Sequence, residues 1–572
     1  MLVETLGRMP GNLLPFDVCI VGSGPAGIVL AREISGCGLR VCLLESGGGK
    51  PAEESDNLNA GAVDSVHGYN EQILREGRRR QFGGTANLWN HEVRGESSRH
   101  IRYVPLDEID FERRDWVPES GWPFDRRELQ PYYERAEKAC GVGILDRSAR
   151  IEELVTNSRQ PWQTERIASV VSLFGSSRIF LKNYRRELVQ HNRVTVILHA
   201  ALLELQMDPL SRAIVSAQAG TPDGRKFQIR ARAFVLAAGG LENARILLLQ
   251  DSLQPGGLGN QHDMVGRCFM DHPAITLGVL TPSSKAIFNQ AVVYDQHDVG
   301  GQPIMYQLHI RPEVMRREKM LNICAVLVPH FKNLRANGPA VLHQLLVRAP
   351  RFLGRYLTAA SRHDPQGGAP LSLRQRLLAQ YYSQGQCGWS RLGRLDRRFG
   401  EFGVHSLVEQ SPDRSNRIIL QEQTDVFGQR KTKVLWRWNE LDLQSIRQAQ
   451  QIFREELAIA GIGAFVPVEE TGGSQPRRFA SPHHFLGTTR MHDDPRNGVV
   501  DSDCRVHDVP NLFIAGSSVF PTGGFANPTL TIVALALRLA AHLQSELQSS
   551  TWIQTNPTSA QTTNSSVRAA VG

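Results

Sequence analysis

Apolar positions along this chain fall into short unbroken runs and longer helical periods, and the runs come first. Phe16 to Val21 reads FDVCIV, a continuous apolar stretch of the length of a strand buried on both faces. It passes directly into Gly22-Ser23-Gly24-Pro25-Ala26-Gly27, after which a helical period runs through Ala31, Arg32 and Glu33. Arg40 to Leu44 is a second strand-like run, and it ends at Glu45, eighteen positions after Gly27. Strand, glycine turn, helix, strand and acid in that order form the dinucleotide-binding pattern. Gly22 permits the tight turn, Gly24 lets main chain approach a pyrophosphate, and Gly27 lets helix pack on strand. The helix N-terminus faces the phosphates and Glu45 accepts from a ribose diol. A purely structural glycine turn explains neither the acid nor its spacing. The pattern does not separate FAD from NAD.

Farther along, Asp125 with Glu128 is a capping-box pattern ahead of a helix through Tyr132, Tyr133 and Ala136, ending before Gly141. Leu441 to Ala460 predicts a long helix stopped by Gly461, and Arg417–Leu420 and Lys433–Trp438 predict strands around a turn at Asp425–Gly428. Asn527 has the chemistry of an N-cap and Pro528 that of a first helical residue, ahead of a helix through Leu530, Val533, Leu537 and Leu543. This apolar run, the longest, is interrupted by Arg538 and His542 and is read as too short to span a bilayer. Beyond Gln548 the chain is rich in Ser, Thr, Asn and Gln, so 549–572 is expected to be a disordered tail.

Composition narrows the class. At 572 residues, with 41% apolar and 21% charged positions, the chain is long enough for two or more packed units of ordinary soluble make-up. Its eight cysteines are scattered and form no CxxC pair, which speaks against a metal site or a disulfide framework and for the cytoplasm. Met1 to Pro15 shows no secretory pattern. The net charge of +8 is local: Arg348 to Arg398 holds ten arginines against Asp364 and Asp396. There, Leu345, Leu346, Phe352, Leu353, Tyr356 and Leu357 interleave with Arg348, Arg351 and Arg355 in a basic amphipathic pattern. It reads as a solvated helical insertion, or as a contact for a membrane surface or a protein partner. Nucleic acid is not expected, because no binding motif accompanies the charge.

Several later segments resolve the cofactor. Arg80-Gln81-Phe82-Gly83-Gly84-Thr85-Ala86-Asn87-Leu88-Trp89, Val235-Leu236-Ala237-Ala238-Gly239-Gly240 and Val265-Gly266-Arg267-Cys268-Phe269-Met270-Asp271-His272-Pro273 precede a C-terminal set. That set comprises His484-Phe485-Leu486-Gly487-Thr488-Thr489-Arg490-Met491, Gly498-Val499-Val500-Asp501, Asn511 to Pro521 and Asn527-Pro528-Thr529-Leu530-Thr531. Together, in this order, they resemble the glucose–methanol–choline (GMC) oxidoreductases, nearest to the sugar and polyol dehydrogenases and pyranose-type oxidases. The resemblance implies an α/β fold with a Rossmann-like FAD domain and a substrate domain of antiparallel sheet and helices. The FAD domain would combine 15–105, 185–280 and 480–548. The substrate domain would be 281–479, with an Arg-rich insertion near 345–400, and 106–184 a helical connection. The implied cofactor is FAD, touched by Gly22, Gly24, Gly27, Glu45, Gly83, Gly84, Thr85, Asn87, Ala238, Gly239, Gly516, Ser517, Pro528 and Thr529. Leu88 stands where some pyranose oxidases carry a flavin-linked histidine, so FAD is expected to be non-covalent. Gly516 replaces an aspartate common in the family.

The implied reaction oxidises an alcohol carbon, most simply of a sugar, glycoside or polyol, with hydride leaving for flavin N5. The family's catalytic histidine falls on His484, and its His-or-Asn partner on Asn527. A neutral histidine titrates near the right pH for this task, whereas an Asn amide can only hold the oxygen. His483 is four positions from Gly487 rather than three and is read as loop packing. Gln410, in the segment EQSPDRSNRIIL, is either a polyol contact or a structural strand residue, because strand register is not fixed by sequence. A family member without net redox turnover, of lyase or photodecarboxylase type, and a membrane- or partner-docked subunit are the alternatives. The electron acceptor is left open among oxygen, a quinone and a redox protein.

Overall fold

The computed structural model describes residues 1–5, 15–65, 69–93, 96–142, 161–332, 388–391, 394–468 and 479–549. The basic amphipathic pattern at 345–357, most of the Arg-rich stretch and the tail after Ser549 lie outside the described residues.

A six-stranded parallel sheet carries the nucleotide turn. Its order is Leu2–Glu4, Val194–Leu198, Val41–Leu44, Phe16–Val21, Ala231–Leu236, Leu512–Ile514. Phe16–Val21 and Val41–Leu44 are inner strands with both faces covered, which is why their sequences are continuous apolar runs rather than alternating ones. Helix Pro25–Gly36 packs against Thr529–Gln548, which packs in turn against Arg126–Ala139. Thr529–Gln548 has the length and apolarity of a bilayer span, contrary to the sequence reading. Here it is a core helix: most of it is buried, Arg538 pairs with Glu128 and Asp503, and His542 lies beside Glu546.

The second layer is a nine-stranded antiparallel sheet. The order is Gly463–Pro467, Ala274–Pro282, Phe399–Val408, Ile323–Phe331, Gln302–Ile310, Ile167–Ser176, Arg99–Tyr103, His91–Glu92, with His297–Val299 paired to the side of Gln302–Ile310. It draws on stretches that the sequence placed elsewhere. His91–Glu92 and Arg99–Tyr103 come from the first nucleotide segment, and Ile167–Ser176 from the stretch read as a helical connection. Such membership is set by non-local pairing, here of Ile167–Ser176 with Gln302–Ile310, to which local periodicity is blind.

Local signals fare better. Asn439 and Asp442 form a capping box on Glu440–Ile459, and Gly461 follows its end at φ +65°. Strands Arg417–Thr424 and Arg430–Leu435 flank the turn at Asp425. Asp125 caps Arg126–Ala139 by accepting from Arg127 N at 2.9 Å, but the expected capping box is incomplete, because Glu128 is drawn to Arg538 instead.

One buried ion pair ties the sheet to the loop before Arg126. The Arg114 guanidinium donates to both oxygens of Glu409 at 2.9 and 2.6 Å, with neither side chain exposed, and Glu409 also accepts from Asn322 N at 2.8 Å. Burial would raise the Glu409 carboxyl, but Arg114 outweighs it and holds it below its ordinary value. Burial and the Glu409 charge push neighbouring Asp110 well above its own. Arg114→Met strands a buried carboxylate and is expected to cost about 3–5 kcal/mol in urea unfolding, with Glu409→Gln in the same chain restoring part of it. A single-mutant loss under about 1 kcal/mol would show the pair to be dispensable.

Candidate active site

A cavity of about 930 Å³ runs from the glycine turn of the parallel sheet to the antiparallel sheet. At its nucleotide end, Gly22 has φ +108° and a Cβ there would lie 2.4 Å from Ala237 O, so strand ends Val21 and Leu236 feed two abutting turns. A Cβ on Gly27 would lie 1.9 Å from Gly22 O, the close helix–strand contact the sequence assigns it. Gly24 differs: its missing Cβ points into open space, and bare main chain faces the cavity. Glu45 is buried, with one carboxylate oxygen accepting from Ser23 N (3.1 Å) and Oγ (2.6 Å) and the other from Gly47 N (2.8 Å), which fixes its carboxylate at the wall. Gly84, Thr85, Ala238, Gly239, Gly516, Ser517, Pro528 and Thr529 line the same cavity.

Three residues assigned to the cofactor do not line it. Gly27 packs the helix, as above. Gly83 donates its N–H to Ser23 O at 2.9 Å, and Asn87 Nδ2 donates to Phe82 O (3.1 Å) and Gly84 O (2.9 Å). They hold the Gly84–Leu88 turn against the glycine loop rather than facing a ligand. Arg78 and Arg80, unassigned in the sequence, line the cavity and converge with Arg245 on Glu242. Burial alone would raise Glu242, but the three guanidinium groups hold it well below the carboxylate range.

At the opposite end, His484 sits in the segment that begins the HFLGT motif. Leu486 bridges Met270, Gly487 N donates to Ser517 O at 3.1 Å, and Thr489 N donates to Ser518 O at 2.8 Å. A Cβ on Gly487, at φ +79°, would lie 2.3 Å from Cys268 O, so only glycine lets these segments meet. The His484 N–H donates to Asp271 Oδ1 at 3.0 Å, and its Nδ1 lies 3.0 Å from Nδ1 of His272. Its ring is enclosed by protein, yet what surface it keeps opens into the cavity. Burial, then the neighbouring His272, His483 and Arg102, press its basicity well below that of a free histidine. His483 also lines the cavity, at φ +66°, its N–H on Ser481 Oγ at 3.0 Å.

Asn527 faces the same end, but not as an N-cap. Helix Thr529–Gln548 begins one residue later than expected, behind Pro528, with no side-chain cap. The Asn527 amide instead donates to Arg102 O at 3.1 Å. The first-turn N–H groups beside Pro528 and Thr529 therefore give the cavity wall a positive dipole end. Gln410 does not line the cavity. Its Oε1 accepts from Asp271 N (3.1 Å) and Trp436 Nε1 (3.0 Å), so it is a buried brace behind Asp271. Register decides this: Gln410 lies just past strand Phe399–Val408, while His405 within that strand reaches the cavity.

The floor was not legible beforehand. Thr276, Gln307, His405, Ser406 and Arg102 line it from four strands. His405 Nδ1 meets Thr276 Oγ1 at 3.0 Å, and burial with neighbouring His330 brings its basicity down to about 4.

The residues present suit FAD: bare main chain at Gly24 and Gly239, a fixed carboxylate at Glu45, and an uncapped helix start at the far end. Gly24→Ala adds a methyl where no protein atom stands, so the fold should survive while FAD retention falls; Gly27→Ala should disturb the fold itself. Flavin released on denaturation, alongside circular dichroism of the intact protein, separates the two. Full flavin content in soluble Gly24→Ala would remove this turn from the binding site.

Comparison with known proteins bears on the same two regions. A family model described as FAD dependent oxidoreductase matches residues 17–256, and one described as GMC oxidoreductase matches 412–536. The chain is 24% identical to the fructose dehydrogenase large subunit of Gluconobacter japonicus, over 94% of this chain and 100% of that one. It is also 24% identical to paromamine 6'-oxidase of Streptomyces fradiae, over 93% and 92%. The crystal structure of pyridoxine 4-oxidase from Mesorbium loti shares the fold, with a TM-score of 0.51 at 15% identity over 92% of this chain and 99% of that one. With the first model on the glycine turn and the second across His484 and Asn527, the chain is an FAD-dependent oxidoreductase that carries the GMC oxidoreductase C-terminal region and is similar along most of its length to the fructose dehydrogenase and paromamine oxidase above.

Proposed function

We propose that the protein oxidises a secondary or primary alcohol of a sugar, glycoside or polyol to the carbonyl, with His484 as the base and Asn527 holding the reacting oxygen. The observation that carries this reading is that His484 and Asn527 line one cavity, with Arg102 bonded to Asn527 through its carbonyl and acting on His484 through its charge. FAD, when bound, supplies the acceptor for the hydride that leaves the alcohol carbon.

The chain's own groups handle the rest. His484 takes the hydroxyl proton; enclosure keeps its ring neutral at neutral pH, so the basic form is fully populated. An amide carries two hydrogens, and Asn527 commits one to Arg102 O, which leaves the second for the substrate oxygen. Arg102, whose charge already acts on His484, favours a developing alkoxide in the same space. Thr276, Gln307, His405 and Ser406 make the floor polar, with Thr276 and His405 bonded to each other, Gln307 Oε1 accepting from Ser172 and Ser406 Oγ donating to Cys324 O; the polyhydroxy substrate is therefore inferred from the relatives. Fructose and paromamine, named in two relatives, are both of that kind. Leu88 lines the cavity with no nucleophilic atom, which supports FAD held there without a covalent bond.

In an anaerobic screen of sugars, glycosides and polyols, substrate should bleach the flavin, and admitting air then separates an oxidase from a dehydrogenase. His484→Ala should slow bleaching by about 10²–10⁴-fold while retaining flavin. Because the His484 basicity is lowered, the wild-type rate should climb with pH only below about 6.5 and be flat above it. The groups facing it are His272, His483 and Arg102, with Asp271 on its main chain, and the mutant should lose this limb. Asn527→Asp should also slow reduction, by removing the amide donor. Wild-type bleaching rates in His484→Ala would move the base elsewhere, with His483 the next residue to test.

A further inference from the structure

We infer that His272 is a positioning residue that fixes which ring nitrogen of His484 carries the hydrogen, leaving Nε2 of His484 as the proton acceptor. This rests on His484 being the base. The two Nδ1 atoms are 3.0 Å apart, with ring centroids 5.2 Å apart and planes at 85°. A hydrogen bond between two neutral imidazoles needs one hydrogen: two lone pairs repel and two N–H groups collide. Two assignments satisfy this, and they have opposite consequences. With the hydrogen on His272, His484 carries its own on Nε2 and has no lone pair there. With the hydrogen on His484 Nδ1, its Nε2 is the basic nitrogen.

The role of His484 as base decides between them. Its Nδ1 is taken up by His272, so a substrate in the cavity can meet only its Nε2, which must then keep the lone pair and leave the hydrogen on Nδ1. The far side of His272 is compatible with this: its Nε2 is buried without a hydrogen-bond partner among the described residues, and a Cβ on Gly523 would lie 2.9 Å from it. His272 is therefore the Nε2–H tautomer, its Nδ1 accepts, and His484 Nδ1–H donates. Asp271 keeps the two rings in register from behind. Its Oδ1 accepts the main-chain N–H of both His272 (2.8 Å) and His484 (3.0 Å), and its Oδ2 accepts from Ser481 and Tyr69.

The direct test is nitrogen-15 NMR of histidine-labelled, FAD-loaded protein, with the His484 signals assigned by their loss in His484→Gln. The expected result is an unprotonated Nε2 and a protonated Nδ1 on His484. His272→Leu removes the acceptor, should mix the tautomers, and should slow anaerobic flavin reduction by about 10–100-fold. That is less than the ~10⁴-fold lost when the orienting carboxylate of a catalytic triad becomes an amide, because His272 is neutral. His272→Asn places a carbonyl oxygen near the old Nδ1 and should restore both the tautomer and most of the rate. A protonated Nε2 on wild-type His484 overturns the inference, as does a Leu variant with wild-type rate and tautomer, or an Asn variant as slow as a folded Leu variant. Should His272→Leu fail to fold, the wild-type spectrum and the Asn variant still decide. A wild-type rate in His484→Ala, with the expected tautomer intact, would defeat the base assignment and leave the tautomer standing.

Discussion

The active end of this protein is organised around one buried carboxylate. Asp271 has no exposed surface, and it accepts hydrogen bonds from the main chain of His272 and His484 and from the hydroxyls of Ser481 and Tyr69. A carboxylate taken from water costs several kcal/mol unless donors replace the lost hydration, and these donors come from three separated segments. Satisfying Asp271 therefore pulls the Phe269–Pro273 segment, the Ser481–His484 loop and Tyr69 into one arrangement. Gln410 completes it by accepting from Asp271 N, with Trp436 stacked on Tyr69 at 5.0 Å behind.

Enclosure has a double effect on His484. It depresses the basicity of the ring, so that the ring is neutral at neutral pH, the form the proposed base needs. The same enclosure makes an imidazolium costly, so in the proposed reaction a proton taken from substrate would be held only transiently. The helix end at Pro528 and Thr529 acts in the opposite sense, offering positive dipole to negative charge developing in the cavity. Arg102 disfavours the imidazolium and, in the proposed reaction, would favour an alkoxide.

The nucleotide turn was legible because every part of it is local. The strand, the glycines, the helix start and Glu45 lie within one short stretch, and each does its work through main-chain geometry or a single side chain. His484 and Asn527 were legible only through the family resemblance, since eighteen histidines make any one of them unremarked by spacing alone. The role of Gln410 stayed open in sequence, between polyol contact and structural residue, because a strand's register and end decide which side chains reach a cavity. Asn527 looks like an N-cap in sequence, but its amide is drawn to Arg102 O, a residue 425 positions away. The helix then begins without it.

Sequence by itself determined the nucleotide-binding turn, the long helices, the Asp125 cap and the order of the motifs, because these follow from periodicity, backbone preference and chemistry among near neighbours. Tertiary structure alone decided the floor of the cavity, the membership of His91–Glu92, Arg99–Tyr103 and Ile167–Ser176 in the antiparallel sheet, and the pairing of His272 with His484. Each of these joins residues far apart in the chain. Their contacts exist only once burial and strand pairing have fixed which faces meet, and hydrogen-bond chemistry then has a single arrangement to satisfy.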